Sequence, residues 1–400
     1  MKIYFCSILN SGTMNKGKYV YAQIVEFLPQ WFFDNLVMKY NGNKYVKHFT
    51  CWNQLLVMIF GQLTNRDSLR DLIVAIDAHS KKSYHLGFGK SVTRSNLSKA
   101  NENRDCRIFE EFAYYLIDVA RQKRSNNDFE IKGKVYAFDS TTIDLCLSVF
   151  WWAKFRKHKG GIKIHTLYDI TTQIPVFVHI TTATVNDMNA MDVIPYEVGA
   201  YYIFDRGYVD FTRLYKITQL ESYFVVRAKK NLQFEVTASN VVDESTGVLS
   251  DQTGLLKGYY PSKYYPEKLR RVAYYDKDMN RTFIFLTNNF ELSAEQIALL
   301  YKNRWQIELF FKWIKQHLKI KSFWGTSENA VRIQIYCAII AYCLVAIVGH
   351  DLQIDRSTYE ILQILGISLL DKTPMNELFT NIDISDVKEQ NYNQLSISFF

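Results

Sequence analysis

Three acidic residues occupy positions where a carboxylate could do chemistry. Asp139 closes the apolar run VYAFD, and Asp205 closes YYIFD and is followed directly by Arg206. Glu308 lies in YKNRWQIELFFKWIKQHLKI (301–320), among five lysines and arginines. A carboxylate at the end of a buried strand is costly unless something pairs with it, and a structural ion pair is the usual explanation for one such aspartate. Two strand-end aspartates and a helical glutamate make that explanation much weaker.

Carboxylates from separate elements are ligands that suit Mg²⁺, a hard cation that prefers oxygen and keeps open positions for phosphate. Two such ions, about 3.5–4 Å apart, can activate a nucleophile and stabilise the leaving oxygen in phosphoryl transfer. The sequence therefore favours a metal-dependent reaction at a phosphate, with Asp139, Asp205 and Glu308 as the metal ligands.

The segment that carries Glu308 has the pattern of an amphipathic helix. With about 100° of rotation per residue, Tyr301, Arg304, Glu308 and Lys315 fall within roughly 60° of one another, with Lys312 beside them. Apolar residues fill the rest of the cylinder, as a packed helix requires. A solvated basic face explains this stripe equally well when the helix is considered alone.

These residues need a scaffold, and the pattern of the chain predicts one. Residues 20–125 have helical spacing of apolar residues, whereas β-branched and aromatic residues dominate after the charged linker 121–134. The order that follows is three strands, helix, strand, helix and strand, with Asp139 on the first strand and Asp205 on the fourth. A polar, strand-rich stretch and then long helices complete the chain.

We therefore predict an α/β fold, with a mixed sheet flanked by helices. The predicted units are a helical N-terminal domain (1–125), an α/β core (126–230 and 291–350), a β-strand insertion domain (231–290) and a C-terminal helical region (351–400).

The charge of the chain is concentrated near its N-terminus. The 400 residues are 48% hydrophobic and 22% charged, as in globular proteins, and carry a formal net charge of +8. Residues 1–100 hold 13 Lys and Arg against 5 Asp and Glu, so this whole excess lies there. An acidic partner, most economically nucleic acid, explains it; solubility alone is the alternative.

A short polar helix in the same region could read DNA. Ser91 or Thr93 could cap it, and Arg94 and Lys99 would be displayed on it, as in a helix-turn-helix. A plain surface connection is the alternative.

Cysteine usage and hydropathy point to a reduced, cytoplasmic protein. The six cysteines have no metal-ligand spacing, and several lie in apolar surroundings. The most apolar segment, 335–348, is shorter than the roughly 20 residues that a membrane span needs. We expect it to be a buried core helix, with no membrane partner.

The strand order with its D, D and E resembles the ribonuclease-H-like core of the DDE transposases. The spacing Tyr301-x2-Arg304-x3-Glu308-x6-Lys315 is similar to the Y-R-E-K signature of bacterial insertion-sequence transposases of the group numbered four. Residues 231–290 resemble the β insertion of that group, and FDRGY, TVNDMNA and VRAKK also have equivalents in it. One departure is Asn186, where many relatives carry His.

The resemblance implies cut-and-paste transposition. Asp139, Asp205 and Glu308 would hold two Mg²⁺ ions, which Mn²⁺ could replace. Water would nick the end of the element, and the freed 3′-OH would form a hairpin that is reopened and joined to target DNA. The implied partners are double-stranded DNA, as terminal inverted repeats and target, and a second copy of the chain, in the bacterial cytoplasm with the nucleoid.

The resemblance also gives roles to basic and aromatic residues. Tyr301, Arg304 and Lys315 would hold phosphates, and Trp305 would stack on a displaced base, although a core role for Trp305 is equally ordinary. The residues expected to contact DNA are Tyr301, Arg304, Trp305, Lys312, Lys315, Arg206, Arg227, Lys229, Lys157, Lys159, Arg94 and Lys99. A solvated loop is the alternative for Lys157 and Lys159.

Two other functions fit parts of the pattern. A repurposed or inactive DNA-binding descendant would have lost a carboxylate or the Y-R-E-K spacing, and both are kept. A junction resolvase of the same fold would lack the β insertion and the spacing to Lys315.

Overall fold

The helical N-terminal region forms as predicted. The computed structural model describes residues 17–90, 92–124, 131, 133–156, 159–317 and 323–380. The first six helices are α1 (Val20–Val25), α2 (Gln30–Lys39), α3 (Cys51–Leu63), α4 (Leu69–Ala78), α5 (Arg94–Asn103) and α6 (Arg107–Lys123).

The predicted short polar helix is α5. The Thr93 hydroxyl accepts a hydrogen bond from the Asn96 backbone N–H and caps it. Residues 79–93 separate α5 from α4, a connection far longer than the short turn of a helix-turn-helix.

The core sheet has the order expected of a ribonuclease-H-like fold. In the part of the chain that the structure describes, β3 is antiparallel to β1 and to β4, while β5 and β6 run parallel to β1, in the order β4-β3-β1-β5-β6. The sequence prediction of fold class is thus confirmed. The elements are β1 (Val135–Leu145), β2 (Lys154–Arg156), β3 (Lys159–Asp169), β4 (Ile174–Thr182), β5 (Tyr201–Phe204), α7 (Phe211–Gln219) and β6 (Tyr223–Arg227).

Two details of this core differ from the prediction. The short strand β2 forms a hairpin with the start of β3. The helix predicted after β4 is a 3₁₀ segment, Asp187–Val193, and Asn186 caps it by accepting a hydrogen bond from the Met188 backbone N–H. A capping role explains how Asn serves at this position.

The predicted insertion is strand-rich and continues the core sheet. β10 pairs with β6 in antiparallel fashion, and β9, β8 and β7 follow it outward. The insertion elements are β7 (Phe234–Asn240), β8 (Val248–Leu256), α8 (Tyr259–Tyr264), β9 (Leu269–Asp276) and β10 (Arg281–Thr287).

The most apolar helix lies at the centre of the protein. Glu328–Asp351 is long and apolar enough to cross a membrane by length and composition, but 94% of its apolar window is buried inside the protein. It packs against α3, α5 and α6, as the sequence predicted for 335–348. The last elements are α9 (Ala294–Lys302), α10 (Trp305–His317), α11 (Glu328–Asp351), α12 (Thr358–Ser368) and α13 (Met375–Leu378).

Alternation along the strands divides the core into two layers. Val135 and Ala137 face the cluster that contains α10 and α11, whereas Tyr136 and Phe138 face the cluster that contains α7. Successive side chains of β5 divide in the same way. The residue that continues the first series on β1 is Asp139, so the strand period fixes the layer in which its carboxylate lies.

A buried ion pair attaches the insertion to the chain before α9. Arg270 Nε lies 2.8 Å from Asp251 Oδ1 and Arg270 Nη2 lies 2.8 Å from Asp251 Oδ2, with both side chains almost fully buried. Arg270 Nη1 also donates to the carbonyl of Leu292 at 2.5 Å. Because α9 begins two residues later, this pair helps to position α9 and α10.

We predict that Asp251→Ala lowers the free energy of unfolding by about 3–5 kcal/mol, because it leaves the Arg270 guanidinium buried without its counter-charge. Urea denaturation of the purified protein measures this. The double variant Asp251→Leu/Arg270→Met should lose less, because neither charge remains. A loss below about 1 kcal/mol in the single variant, the size expected of an exposed pair, would contradict this account.

Candidate active site

The two aspartates are brought together by parallel pairing, although only Asp205 follows the end of its strand; Asp139 lies inside β1, which continues to Leu145. Phe138 of β1 pairs with Phe204 of β5. Asp139 and Asp205, the next residue on each chain segment, therefore lie at the same edge of the sheet. Both continue the series of side chains that faces the layer of α10 and α11. The Asp139 Oδ1 accepts a hydrogen bond from the Ser140 backbone N–H at 2.8 Å.

The helix that carries Glu308 is broken where the sequence predicted a continuous one. α9 ends at Lys302 and α10 begins at Trp305. The Asn303 side-chain amide donates to the Leu299 carbonyl at 2.9 Å, and the Arg304 backbone N–H donates to the Tyr301 carbonyl at 3.0 Å in a tighter turn. Asn competes for the backbone in this way, which explains the break.

Despite this break, the stripe of the sequence pattern reaches the aspartates. The Tyr301 hydroxyl donates to Asp205 Oδ1 at 3.1 Å. At the other end of the stripe, Lys315 Nζ donates to the carbonyl of Thr142 on β1 at 3.0 Å. The predicted stripe therefore lies along the edge where Asp139 and Asp205 meet.

Arg304 joins the first and third acidic residues. Its Nη1 donates to Asp139 Oδ2 at 3.1 Å, and its Nη2 donates to Glu308 Oε1 at 2.5 Å. The Arg304 side chain is mostly buried, whereas Glu308 is exposed. The Nε of Arg304 is buried with no hydrogen-bond partner in the structure. One guanidinium therefore bridges two carboxylates and retains an unused donor.

Burial and neighbouring charges hold Asp139 in an unusual state. Burial raises the pKa of Asp139 to about 6, although the Ser140 N–H and Arg304 act in the opposite direction. The negative charges of Glu308 and Asp205 are smaller contributions to the same rise in the pKa. The three carboxylates thus share one electrostatic environment, in which each additional negative charge is costly unless a cation is close.

The chemistry of these donors suits a hard cation, but Arg304 occupies the space between two of them. Within the described ranges, no three His, Cys, Asp or Glu side chains are close enough to hold a metal ion. The guanidinium supplies positive charge where Asp139 and Glu308 approach each other, so it stands in for an ion. Bringing both oxygens onto a metal requires Arg304 to move away.

The other predicted DNA contacts fall into two groups. Arg206, Lys229 and Lys312 are exposed, and Arg227 lies over the Phe283 ring at 5.1 Å. Trp305 begins α10 with 48% of its surface exposed. All five follow β5, β6 or α9, at or near the carboxylate edge.

Arg94 and Lys99 are exposed on α5, which packs against the helices α3, α4 and α11. Lys157 and the side chain of Lys159 lie outside the described part of the chain.

A polar cluster beside Asp139 was not predicted from the sequence. Asp187 Oδ1 accepts a hydrogen bond from the Ser140 hydroxyl at 2.7 Å and lies 3.1 Å from Lys163 Nζ. His165 is fully buried next to them, with its Nε2 2.9 Å from the Thr181 hydroxyl. Its Nδ1 is 3.8 Å from Asp187 and has no hydrogen-bond partner. The sequence signal was Asp187 itself, within the TVNDMNA segment.

Comparison with known proteins identifies families for two parts of the chain. Residues 130–344 match the transposase DDE domain, and residues 16–89 match the domain of unknown function DUF4372. The first match covers more than half of the chain and contains the three acidic residues.

Several curated proteins are similar over much of their length. The putative transposase y4zB of Sinorhizobium fredii is 38% identical over 272 residues, which are 67% of this chain and 74% of that protein. The probable transposase for insertion sequence element IS5377 of Geobacillus stearothermophilus is 32% identical over 52% of this chain and 54% of that protein. The putative transposase for insertion sequence element IS4SA of Synechocystis is 27% identical over 64% of this chain and 72% of that protein.

Among solved structures, the piggyBac transposase synaptic complex with hairpin DNA aligns with 97% of this chain and 87% of its own chain. The TM-score is 0.44 and the sequence identity is 11%.

We predict that His165 makes the protein sensitive to acid. Burial lowers the pKa of His165 from 6.5 to about 4. Because the pKa of His165 is lower in the folded than in the unfolded protein, its contribution to the free energy of unfolding is fully present above about pH 6.5. This contribution, roughly 3 kcal/mol, is lost as the pH falls towards 4. Urea denaturation at pH 7 and pH 4.5 should show a smaller loss in His165→Gln. An equal loss in the two proteins would contradict the prediction.

Proposed function

Because this chain belongs to the DDE transposases of insertion sequences, we propose that Asp139, Asp205 and Glu308 are its catalytic residues. The proposed reaction is metal-dependent cleavage and joining of DNA strands in cut-and-paste transposition. The observation that supports it is the meeting of β1, β5 and α10 at one sheet edge, where Arg304 bridges two of the three carboxylates.

The carboxylates would hold Mg²⁺, or Mn²⁺ in its place. Enzymes with the DDE domain generally depend on a divalent metal, and the oxygen donors of Asp139, Asp205 and Glu308 match that requirement. When bound, a pair of such ions supplies Lewis-acid activation of the attacking oxygen and stabilisation of the leaving oxygen. The exposure of Glu308 lets DNA and ions reach the site from the solvent side.

Arg304 would exchange its partners when DNA binds. A guanidinium forms bidentate hydrogen bonds with carboxylates and phosphates in the same planar geometry. In this scheme a DNA phosphate takes Arg304 away from Asp139 and Glu308, which frees these two carboxylates. Lys315 and Tyr301, on the same stripe, would support the neighbouring phosphates.

The chemical steps follow from in-line attack at phosphorus. A water oxygen attacks the phosphate at the end of the element, the P–O bond breaks, and a 3′-hydroxyl leaves. That hydroxyl then attacks the opposite strand to make a hairpin, which water reopens before the 3′-OH is joined to target DNA. A sharp hairpin needs a base outside the stack, and Trp305 would stack against it.

The proposed partners are duplex DNA and a second copy of the chain. The DNA is the terminal inverted repeat of the element and then the target, and two copies would hold the paired ends in the bacterial cytoplasm with the nucleoid. Arg206, Arg227, Lys229 and Lys312 would contact the DNA backbone near the site, and the basic N-terminal region would contribute to binding.

We predict that Asp139→Asn and Glu308→Gln each reduce strand cleavage by more than about 100-fold, because each replaces an anionic oxygen ligand of the metal ions by a neutral amide. A duplex that carries the element's own end, incubated with Mg²⁺, provides the assay. Affinity for the same duplex should remain nearly unchanged. Asp144→Asn, an exposed residue five positions along β1, is the matched control. Normal cleavage by either of the first two variants would remove that residue from the site.

We also predict that Arg304→Gln increases the affinity for Mn²⁺ by tenfold or more without DNA. The wild-type guanidinium competes with the ion for Asp139 and Glu308, and a charge pair near a protein surface contributes about 1–4 kcal/mol. Titration calorimetry or Mn²⁺ electron paramagnetic resonance measures the affinity. Arg304→Lys, which keeps the charge, should resemble wild type more closely. Equal or weaker Mn²⁺ binding by Arg304→Gln would show that Arg304 does not compete with the metal.

A further inference from the structure

Trp151 exposes more of its surface than the other exposed tryptophans. It lies between β1 and β2, and 75% of its surface is accessible, compared with 61% for Trp31 and 48% for Trp305. An indole is a large apolar surface, and leaving it in water forgoes the free energy that burial would give. A single exposed apolar side chain is common on protein surfaces, so the support of this turn and the charge of its segment are what distinguish Trp151.

The residues beside Trp151 hold the backbone in place. Phe150 is buried and lies against the Phe323 ring at 6.3 Å, and the Trp152 indole N–H donates to the Thr326 carbonyl at 2.7 Å. Each partner belongs to the connection between α10 and α11. Trp151 is therefore presented on a fixed turn and not on a loose loop.

That connection is itself anchored in the helical core. Trp324 is buried against Gly61 of α3, where even an added Cβ would come within 2.4 Å of the indole. The Trp324 backbone N–H also donates to the Gln334 side-chain oxygen at 2.8 Å. The turn that carries Trp151 is thus tied to α3 and α11 through this tryptophan.

The turn lies beyond the edge that carries the catalytic residues. β1 stays paired with β5 only as far as Phe138, whereas it continues to Leu145 along β3. Leu145 is six residues past Asp139, which corresponds to about 20 Å at 3.3 Å per residue. This extension is held along α10 by the bond from Lys315 to Thr142.

The charge of the segment identifies the chemistry of its partner. From Cys146 to Lys163 the sequence has five Lys and Arg and no acidic residue. Lys154, three residues after Trp151, is exposed at the start of β2. An exposed aromatic face near an exposed lysine, in a segment without acidic residues, matches the bases and phosphates of DNA.

We propose that Trp151 is a DNA contact that stacks on bases at a loosened step of the duplex, several base pairs away from the phosphate under attack. Apolar side chains inserted at such steps unstack and bend the duplex. This inference rests on the proposed function, because it takes the carboxylate edge as the place of cleavage. The bases could belong to the element's end or to the DNA flanking it.

Fluorescence of 2-aminopurine tests the contact base by base. The probe base is placed at one position at a time, on both sides of the junction between element and flank, and each duplex is titrated with wild type, Trp151→Ala or the matched control Trp31→Ala. The titrations are done without divalent cations, so their result does not depend on cleavage. We expect a change in emission at one position or two adjacent positions that is lost only in Trp151→Ala. The side of the junction on which it falls identifies the source of the bases.

Affinity gives the second readout. Trp151→Ala should bind the duplex roughly 5- to 100-fold more weakly, as expected for loss of one stacked base, and Trp151→Phe should lose less. Thermal unfolding of the free protein should be unchanged, because the indole is exposed.

Three results would overturn the inference. The first is an emission profile that is the same in wild type and Trp151→Ala, and the second is the absence of any change in wild type. The third is a change of mass in the DNA-free protein caused by Trp151→Ala, which would assign the indole to a contact between two copies. If the Trp151-dependent signal appears but the duplex is not cleaved when Mg²⁺ is added, the contact stands and the proposed catalytic function fails.

Discussion

The site depends on one electrostatic constraint: three carboxylates gathered at one sheet edge need positive charge among them. Arg304 supplies it by bridging Asp139 and Glu308, while the Tyr301 hydroxyl donates to Asp205. Even with this compensation, burial keeps the pKa of Asp139 at about 6. The bridge therefore compensates the negative charges of Asp139 and Glu308 through a guanidinium, a group that binds other anions in the same planar geometry.

The sheet brings the acidic residues close together, and its two faces pack against different helices. One face packs on α7 and is apolar throughout its centre, while the other turns towards α10 and α11 and ends in the aspartates. Parallel pairing of β1 and β5 ends at Phe138 and Phe204, so Asp139 within β1 and Asp205 after β5 lie at the same end of this pairing. The insertion strands add to the opposite side of β6 and leave that edge accessible.

α11 connects the catalytic layer with the N-terminal helices. It packs against α3, α5 and α6 and shares one apolar cluster with the strand residues behind Asp139. The same core holds Trp324, and through the connection before α11 it fixes the turn of Trp151. α3, which lies within the residues that match DUF4372, thus packs directly on a helix most of which belongs to the DDE domain.

The sequence by itself determined the class of fold and the order of the main strands along the chain, because the spacing of apolar residues and the positions of turns are local properties. It also identified the residues of the stripe from their spacing. It did not predict the break between α9 and α10, which depends on how the Asn303 side chain competes with the backbone.

Nor could the sequence place Arg304 between Asp139 and Glu308, or Asp187 beside Ser140. Asp139 and Arg304 are 165 positions apart, and the pattern of either segment is compatible with several partners. Only the tertiary structure decided the pairing, because the cost of burying a charge depends on which opposite charge the folded chain brings within a few ångströms.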